Sequence, residues 1–564
     1  MPSHPHPSNL AAIGILAVLL AEGPVRGQDP PYAVLMPAEL ERMTGAPSPG
    51  CAVGAERDGQ VLYVKGAGLA NLDHAVPISP DTVFHAGSIA KQFTAYATLL
   101  LAARGKLQLE DPITKYVSGF PGYANAITIR HLLQHTSGLR DQWDLRAFAG
   151  HRPDQPADNG EMMDLLRAQG ALNFEPGTQH VYNNSGYTVL AAIVEKAAGV
   201  SLADFAKREI FGPLGMSHTQ FIDDRFLIIP TRATGYLPRE EGGWGAVPAS
   251  LETPGPTNLV TTVRDMLKWT HVIYSPSSEA RSLVEQMRTQ VQLPSKNNVQ
   301  YGMGLYVAEN RGRPVILHGG AERGFISEMF VLPESRFGAI ALCNRWNVNA
   351  AGLVRSLADQ IAPAPTPVAS AAPAPGASAA PAPSQEGAPL VAPDPAIAAL
   401  YRAEGSGRLR RMLIRERRIG WEGTDGNMVA RGSRIFSNGD QTLTFTPARG
   451  RSPARLQIAR SGQSTIVYVQ LKPFAPGQTP ISSFAGRYRS DELSAEYTLS
   501  VESGKLVIRG PGGIRAVGAP IFHDGFQLDF MEAVIEFERD ARGQIAGFKL
   551  STGRSRNISF ARVI

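Results

Sequence analysis

Between Ile361 and Ala396 the chain reads IAPAPTPVASAAPAPGASAAPAPSQEGAPLVAPDPA, and no other stretch constrains the fold as much. Alternating Ala and Pro with few large apolar groups cannot bury enough surface to build a core, so 361–396 reads as an extended linker. The 564-residue chain must then fold as separate units on either side, a body at 28–360 and a tail at 397–564.

The tail repeats itself. YRAEGSGRLRRMLIRERRIGWEG (Tyr401–Gly423) aligns without a gap on YRSDELSAEYTLSVESGKLVIRG (Tyr488–Gly510), so that Met412 falls on Leu499, Ile414 on Val501, Ile419 on Leu506 and Trp421 on Ile508. IFSNGD at 435–440 matches IFHDGF at 521–526, and FTPARG at 445–450 matches FERDARG at 537–543. Alternating apolar residues around Gly-bearing turns predict β-hairpins. Two all-β copies predict two small antiparallel barrels, 397–480 and a second, lipocalin-like one at 481–564, in preference to one larger sandwich. The arginine run Arg408–Arg418 is expected on the wet face of a strand.

Charge separates the two parts. Residues 397–564 carry 25 Lys/Arg against 15 Asp/Glu within a chain of net charge +5, so the part before them is mildly acidic. A basic tail suits association with an anionic cell envelope; no nucleic-acid motif is present. At the N-terminus, LAAIGILAVLLA (Leu10–Ala21) is an apolar run short for a membrane span, followed by Val25 and Gly27 before a possible cut. Residues 1–27 read as an export signal, placing the mature protein in the periplasm or medium, with a retained anchor as the alternative because the segment before the apolar run has His4 and His6 but no Lys or Arg.

The body mixes element types. Pro49–Gly68 reads as a hairpin turning at Asp58-Gly59. Helical patterns follow in KQFTAYATLLLAARG, TIRHLLQHTSG, SGYTVLAAIVEKAAG and SLADFAKREIF. RPVILHGG, SEMFVLPESR and FGAIALCNR then read as three consecutive strands, and NAAGLVRSLADQIA as the last helix. Strands at both ends with helices between them imply one antiparallel sheet closed by distant segments.

Chemistry enters with VFHAGSIAKQFTA (Val83–Ala95). Ser88 precedes Lys91 by three residues at the start of an apolar helix, and no other lysine in the chain has serine at that spacing. Positions i and i+3 share a helix face, so an amine can reach the hydroxyl it would activate; an N-cap serine beside a solvated lysine is the plainer alternative. Acyl transfer also needs a proton shuttle, an oxyanion hole and a substrate grip. EPGTQHVYNNSGYTVL offers Tyr182 and Asn184 in a Tyr-x-Asn; a phenol whose pKa is lowered by a nearby ammonium can shuttle protons. LHGGAERGF offers His318, Gly319 and Gly320 at a strand end, where glycine permits close backbone approach. Tyr123 and Asn125 form a second Tyr-x-Asn, and His-x-Gly recurs at His85 and His523. His131 and His135 stand at i, i+4, a metal-compatible spacing, but no Glu lies between them and packing or capping is the expected role. No cofactor or metal is expected.

Ser-x-x-Lys, Tyr-x-Asn and His-x-Gly, in that order, resemble the serine β-lactamase and penicillin-binding protein family, in its class C-like branch with D-aminopeptidases, D,D-carboxypeptidases and esterases. GKLQLEDPITKYV, ITIRHLLQHTSGL, IFGPLGM, NLVTTVRDMLKW and YGMGLYV extend the resemblance over about residues 35–360. It implies an α/β (α+β) catalytic domain, an antiparallel sheet flanked by helices, followed by all-β barrels. It implies Ser88 as nucleophile, Lys91 and Tyr182 as proton carriers, Asn184 on the substrate amide, and the Ser88 and Ala321 N–H groups as oxyanion hole, with His318 and Gly320 beside the substrate. His318 stands where β-lactamases carry lysine, and Gly319 where a hydroxyl residue is common. Both changes weaken a grip on a free carboxylate and favour a D-aminopeptidase, amidase or esterase acting on a small molecule or short peptide. A β-lactamase or D,D-carboxypeptidase, and a non-catalytic envelope-binding scaffold, are the alternatives. The resemblance also sets the strands of Cys51 and Cys343 side by side, which makes the two sulfurs expected neighbours, bridged or free. The long linker suggests barrels mobile relative to the body.

Overall fold

The computed structural model describes residues 37–44, 47–248, 250–295, 299–363 and 392–563, less short stretches at 405–408, 416–417, 423–427, 432, 439–440, 451, 461–464 and 475–478. The proposed export signal and most of the Ala/Pro linker lie outside the described residues.

The catalytic part is built on one antiparallel sheet of six strands. They are β1 (Cys51–Arg57), β2 (Gln60–Ala67), β3 (Tyr306–Asn310), β4 (Arg313–Glu322), β5 (Phe325–Leu332) and β6 (Phe337–Cys343), in the order β3-β4-β5-β6-β1-β2. The two ends of the body thus meet at the β6–β1 pair. Every residue of β6 is buried, because the sheet is covered on both faces. Period-two alternation sends Ala52, Ile340 and Leu342 to one core and Cys51, Val53, Ala339, Ala341 and Cys343 to the other. Cys51 and Cys343 lie directly opposite in register with Cα atoms 4.0 Å apart and form a disulfide. Of the two states left open in the sequence, the bridged one is present.

Four helices position the site and its support: α1 (Ala90–Ala103), α2 (Ser185–Ala198), α3 (Val263–Tyr274) and α4 (Ala350–Ile361). Helix α3 lies across β1 and β6, and glycine allows the approach: a Cβ on Gly54 would stand 2.5 Å from Val263 Cγ1. Helix α4 covers the opposite face with Leu353, Val354 and Leu357.

The tail forms two closed eight-stranded barrels, from Leu400 to Gln470 and from Gly486 to Val563. The repeat extends to detail. Met412 and Ile419 are buried in the first, as Leu499 and Leu506 are in the second. The two aligned tyrosines use one lock, Tyr401 donating to the Ile397 carbonyl and Tyr488 to the Phe484 carbonyl.

The expected mobility of the barrels is corrected for the second one. Its segment Thr552–Asn557 is stitched to Arg140–Asp144 of the catalytic part. Arg140, 1 % exposed, ion-pairs with Glu492 and donates to the Arg556 and Asn557 carbonyls. Asp141 N–H donates to Ser555 Oγ at 3.1 Å, and Thr552 Oγ1 donates to Asp144. The linker gives length, but this buried polar interface fixes the docking.

Candidate active site

A cavity of about 860 Å³ opens where α1, α2, β4 and the second barrel meet, and Ser88, Tyr182, Asn184 and Ala321 are on its wall. Ser88 occupies a 3₁₀ turn (Gly87–Ile89) that feeds directly into α1. That turn requires glycine at 87 on two counts. Its φ is +54°, and a Cβ there would lie 2.7 Å from the Ala321 nitrogen. A Cβ on Gly320 would likewise come within 2.1 Å of the Ala86 carbonyl oxygen. The two glycines let β4 close on the serine turn and bring Ala321 beside Ser88.

Lys91 is fully buried in the first turn of α1. Its Nζ lies 3.1 Å from Ser88 Oγ, 2.9 Å from Asn184 Oδ1 and 2.8 Å from the Pro256 carbonyl oxygen. Burial lowers its pKa to about 7; Arg554 pushes the same way, while Asp141 and Glu322 oppose. A neutral amine has two N–H bonds and one lone pair. The Asn184 and Pro256 oxygens accept the two N–H groups, leaving the lone pair for the Ser88 hydroxyl. The geometry therefore suits proton abstraction from Ser88.

Tyr182 interacts with the Ser88 hydroxyl, and Lys91 Nζ is 4.9 Å from its ring centroid. The expected lowering of its pKa is not found: burial pushes the phenol up. Tyr182 remains a protonated donor while Lys91 is the group made neutral. Asn184 is held at both ends, its Oδ1 by Lys91 and its Nδ2 donating to Asp141 Oδ2 at 2.9 Å. Asp141 also accepts from the Asn184 and Trp143 N–H groups.

His318 and Gly320, expected beside the substrate, are not on the cavity wall. His318 is 1 % exposed. Its Nδ1 is 2.7 Å from the Gly319 carbonyl oxygen, which fixes the proton there, and its Nε2 accepts from Tyr301. Tyr301 in turn accepts from His135 Nε2, whose Nδ1 accepts from the Asn183 N–H. Burial lowers His318 to about 3 and His135 well below the ordinary histidine range. This is a chain of neutral donors and acceptors behind Tyr182, so position 318 supplies no cation. His131 caps its own helix, as expected, its Nδ1 accepting from the Thr128 N–H. Tyr123 donates to the Gln169 carbonyl and is absent from the cavity wall.

Sequence reasoning missed three groups. Asp141 was detectable as the N-cap of Gln142–Phe148. Glu322, the one acidic side chain lining the cavity, accepts from Thr257 Oγ1 at 3.1 Å. Arg554 arrives from the second barrel with its guanidinium carbon 5.5 Å from the Tyr182 ring centroid. No local signal in TGRSR announced it.

The fold and the Ser–Lys–Tyr cluster define a serine hydrolase. A family model described as Beta-lactamase matches residues 38–362, and the chain belongs to the β-lactamase family. It is 32% identical over 313 residues to penicillin-binding protein 4* of Bacillus subtilis (strain 168), covering 52% of this chain and 67% of that protein. It is 24% identical over 528 residues to the D-aminopeptidase of Brucella anthropi, covering 91% of this chain and 95% of that one. The octameric penicillin-binding protein homologue of Pyrococcus abyssi shares the fold, with TM-score 0.51 and 20% identity over 85% of this chain and 96% of that one.

Proposed function

We propose that the protein is an exported D-aminopeptidase or D-amino-acid amidase, with ester hydrolysis as a side activity of the same site. The observation that carries this reading is the neutral, buried His318. A strand without a cation offers a β-lactam carboxylate no partner on β4, which disfavours a β-lactamase, and the Glu322 carboxylate disfavours a D,D-carboxypeptidase, whose substrate has an acylated nitrogen in place of a free ammonium. Glu322 supports it by giving the cavity a carboxylate suited to a substrate ammonium. The similarity to D-aminopeptidases spans both barrels, which supports it further. Export is supported by the Cys51–Cys343 bridge, since such bonds persist in oxidising compartments.

In this reading Ser88 Oγ attacks the substrate carbonyl as its proton passes to the Lys91 lone pair. The Ser88 and Ala321 N–H groups take the developing oxyanion, worth about 3 kcal/mol per donor. Tyr182 gives its proton to the departing nitrogen and is reprotonated by the Lys91 ammonium, which carries the proton taken from Ser88 and lies beside its ring. Water then attacks the acyl-enzyme, and its proton returns by the same groups.

The test is a hydrolysis panel on purified protein: D-amino-acid amides and p-nitroanilides, p-nitrophenyl esters, a chromogenic cephalosporin and an acylated D-Ala-D-Ala peptide. D-aminoacyl substrates are expected to give the highest kcat/KM. A cephalosporin value near about 10⁷ M⁻¹s⁻¹, close to the efficient limit for enzymes, would overturn the reading. A fluorophosphonate is expected to label the wild type and to leave Ser88→Ala unlabelled; undiminished labelling of the variant removes Ser88 from its role.

A further inference from the structure

The cation missing from β4 has a counterpart in the other domain. We propose that Arg554 of the second barrel binds the α-carboxylate of the leaving amino acid, making free dipeptides with an N-terminal D-residue preferred substrates. The inference rests on the aminopeptidase reading above.

Cavity-lining arginines differ in their partners. Arg146 is paired with Glu161 and Arg152 with Asp154. The Arg554 guanidinium has no hydrogen bond or ion pair among the described residues, and its contact is the face of Tyr182. Arg232 and Arg323 also show no side-chain hydrogen bond or ion pair among the described residues, but they stand with Glu322: Arg232 and Glu322 act on His85, and the Arg323 N–H donates to Glu322. Arg554 instead acts on Tyr182 and Tyr306.

An exposed arginine is ordinarily just solvated. This one is aimed by its backbone. Its N–H donates to Thr552 Oγ1 at 3.1 Å, and its carbonyl accepts from Asn173 Nδ2 at 2.7 Å. On either side Thr552 and Ser555 are bonded to Asp144 and Asp141. The segment is clamped and the side chain alone is left free.

Its place fits the chemistry of the leaving group. Tyr182 gives its proton to the departing nitrogen. In a dipeptide the carboxylate carbon lies two bonds from that nitrogen, about 2.5 Å away. A carboxylate so close to the Tyr182 hydroxyl is within reach of a guanidinium seated on the same ring, and the planar fork of arginine matches it in a bidentate pair. Glu322, next in sequence to Ala321 and on the same cavity wall, is left to face the substrate ammonium. The cavity thus has the polarity of a zwitterion. As the C–N bond breaks and the Ser88 Oγ–C bond forms, the free amino acid departs with the proton that Tyr182 supplied.

The full-length protein and its Arg554→Gln and Arg554→Lys variants would be assayed on D-Ala-D-Ala and on the same dipeptide as its C-terminal amide. The readout is the ratio of the two kcat/KM values, in which any effect of Arg554 on Lys91 cancels. Wild type is expected to favour the free dipeptide. In Arg554→Gln the ratio is expected to fall about ten- to a hundredfold, mainly through KM, the range for a charged hydrogen-bonded pair. Arg554→Lys, which keeps the charge without the fork, is expected to lie between. A ratio unchanged in Arg554→Gln, or a wild type that cleaves D-aminoacyl p-nitroanilide and not the dipeptide, overturns the inference alone. A wild type inert to every D-aminoacyl substrate overturns the aminopeptidase reading and the inference with it.

Discussion

If Lys91 is the base that activates Ser88, the acylation step must carry its titration. Lysine ordinarily holds its proton to 10.5, whereas burial brings Lys91 to about 7. That difference is roughly 5 kcal/mol at about 1.36 kcal/mol per pH unit. An ordinary lysine would be neutral in only about one molecule in three thousand at pH 7; Lys91 is neutral in about half. The base form is the deprotonated one, so kcat/KM is expected to rise with pH, tenfold per unit below about 7, and to level above 8. At pH 6 it should stand near a tenth of the plateau.

The assay is kcat/KM for a D-aminoacyl p-nitroanilide from pH 5 to 10. Two charge variants give the sign independently. Asp141 raises the Lys91 pKa and Arg554 lowers it, so Asp141→Asn should move the rising limb to lower pH and Arg554→Gln to higher pH. Asp144, raised by burial to about 6, and Glu328 behind β4, raised by burial to about 7, are the carboxyl groups near this range; the limb should persist in Asp144→Asn and in Glu328→Gln. His318, at about 3, contributes nothing there. A rate that still climbs tenfold per unit above pH 9 would mean an ordinary lysine. A limb that moves to higher pH in Asp141→Asn, or to lower pH in Arg554→Gln, would refute its assignment to Lys91.

Tyr182→Phe is expected to cut turnover by about 10²- to 10⁴-fold, the usual range for a lost proton donor, and Tyr123→Phe to leave it near wild type; turnover assays showing the reverse would exchange the two tyrosines. The Cys51–Cys343 bridge closes a separation of 292 residues, so mild reduction, or paired serine substitutions, should destabilise the catalytic part by about 3–5 kcal/mol. Thermal unfolding with and without reductant reads this directly, and an unchanged midpoint would contradict it.

Much of this was legible because local pattern and buried environment agree. FGAIALC reads as a strand because it is apolar throughout, and the sheet buries both its faces. The ungapped repeat announces two barrels because interior positions such as Met412 and Leu499 must stay apolar in each. Ser88 and Lys91 are legible because a single helical turn sets their spacing. His318 was assigned to the substrate by motif, although alternation along β4 already separates it from Ala321: His318 is buried, Ala321 exposed. What could not be read comes from elements that meet only in the fold. The Pro256 carbonyl that orders Lys91 and the Arg554 side chain have no local signature. The Tyr182 phenol was expected to be acidified because an ammonium beside it is legible in sequence, while the burial that outweighs it is not.

The docking of the second barrel also changes what the catalytic cluster is made of. Ser555 Oγ accepts from the Asp141 N–H, Asp141 holds Asn184 through two hydrogen bonds, and Asn184 Oδ1 holds one N–H of Lys91. Each link is buried, where an unmade hydrogen bond costs most. The orientation of the Lys91 lone pair is therefore set partly by a loop of another domain. That loop also carries Arg554, whose charge helps keep the amine neutral. A barrel that only tethered the enzyme to an envelope would need neither contact. The polar stitching at Arg140–Asp144 makes the barrel a wall of the candidate site, so the surroundings of Ser88, Lys91 and Tyr182 are completed by the part of the chain beyond the Ala/Pro linker.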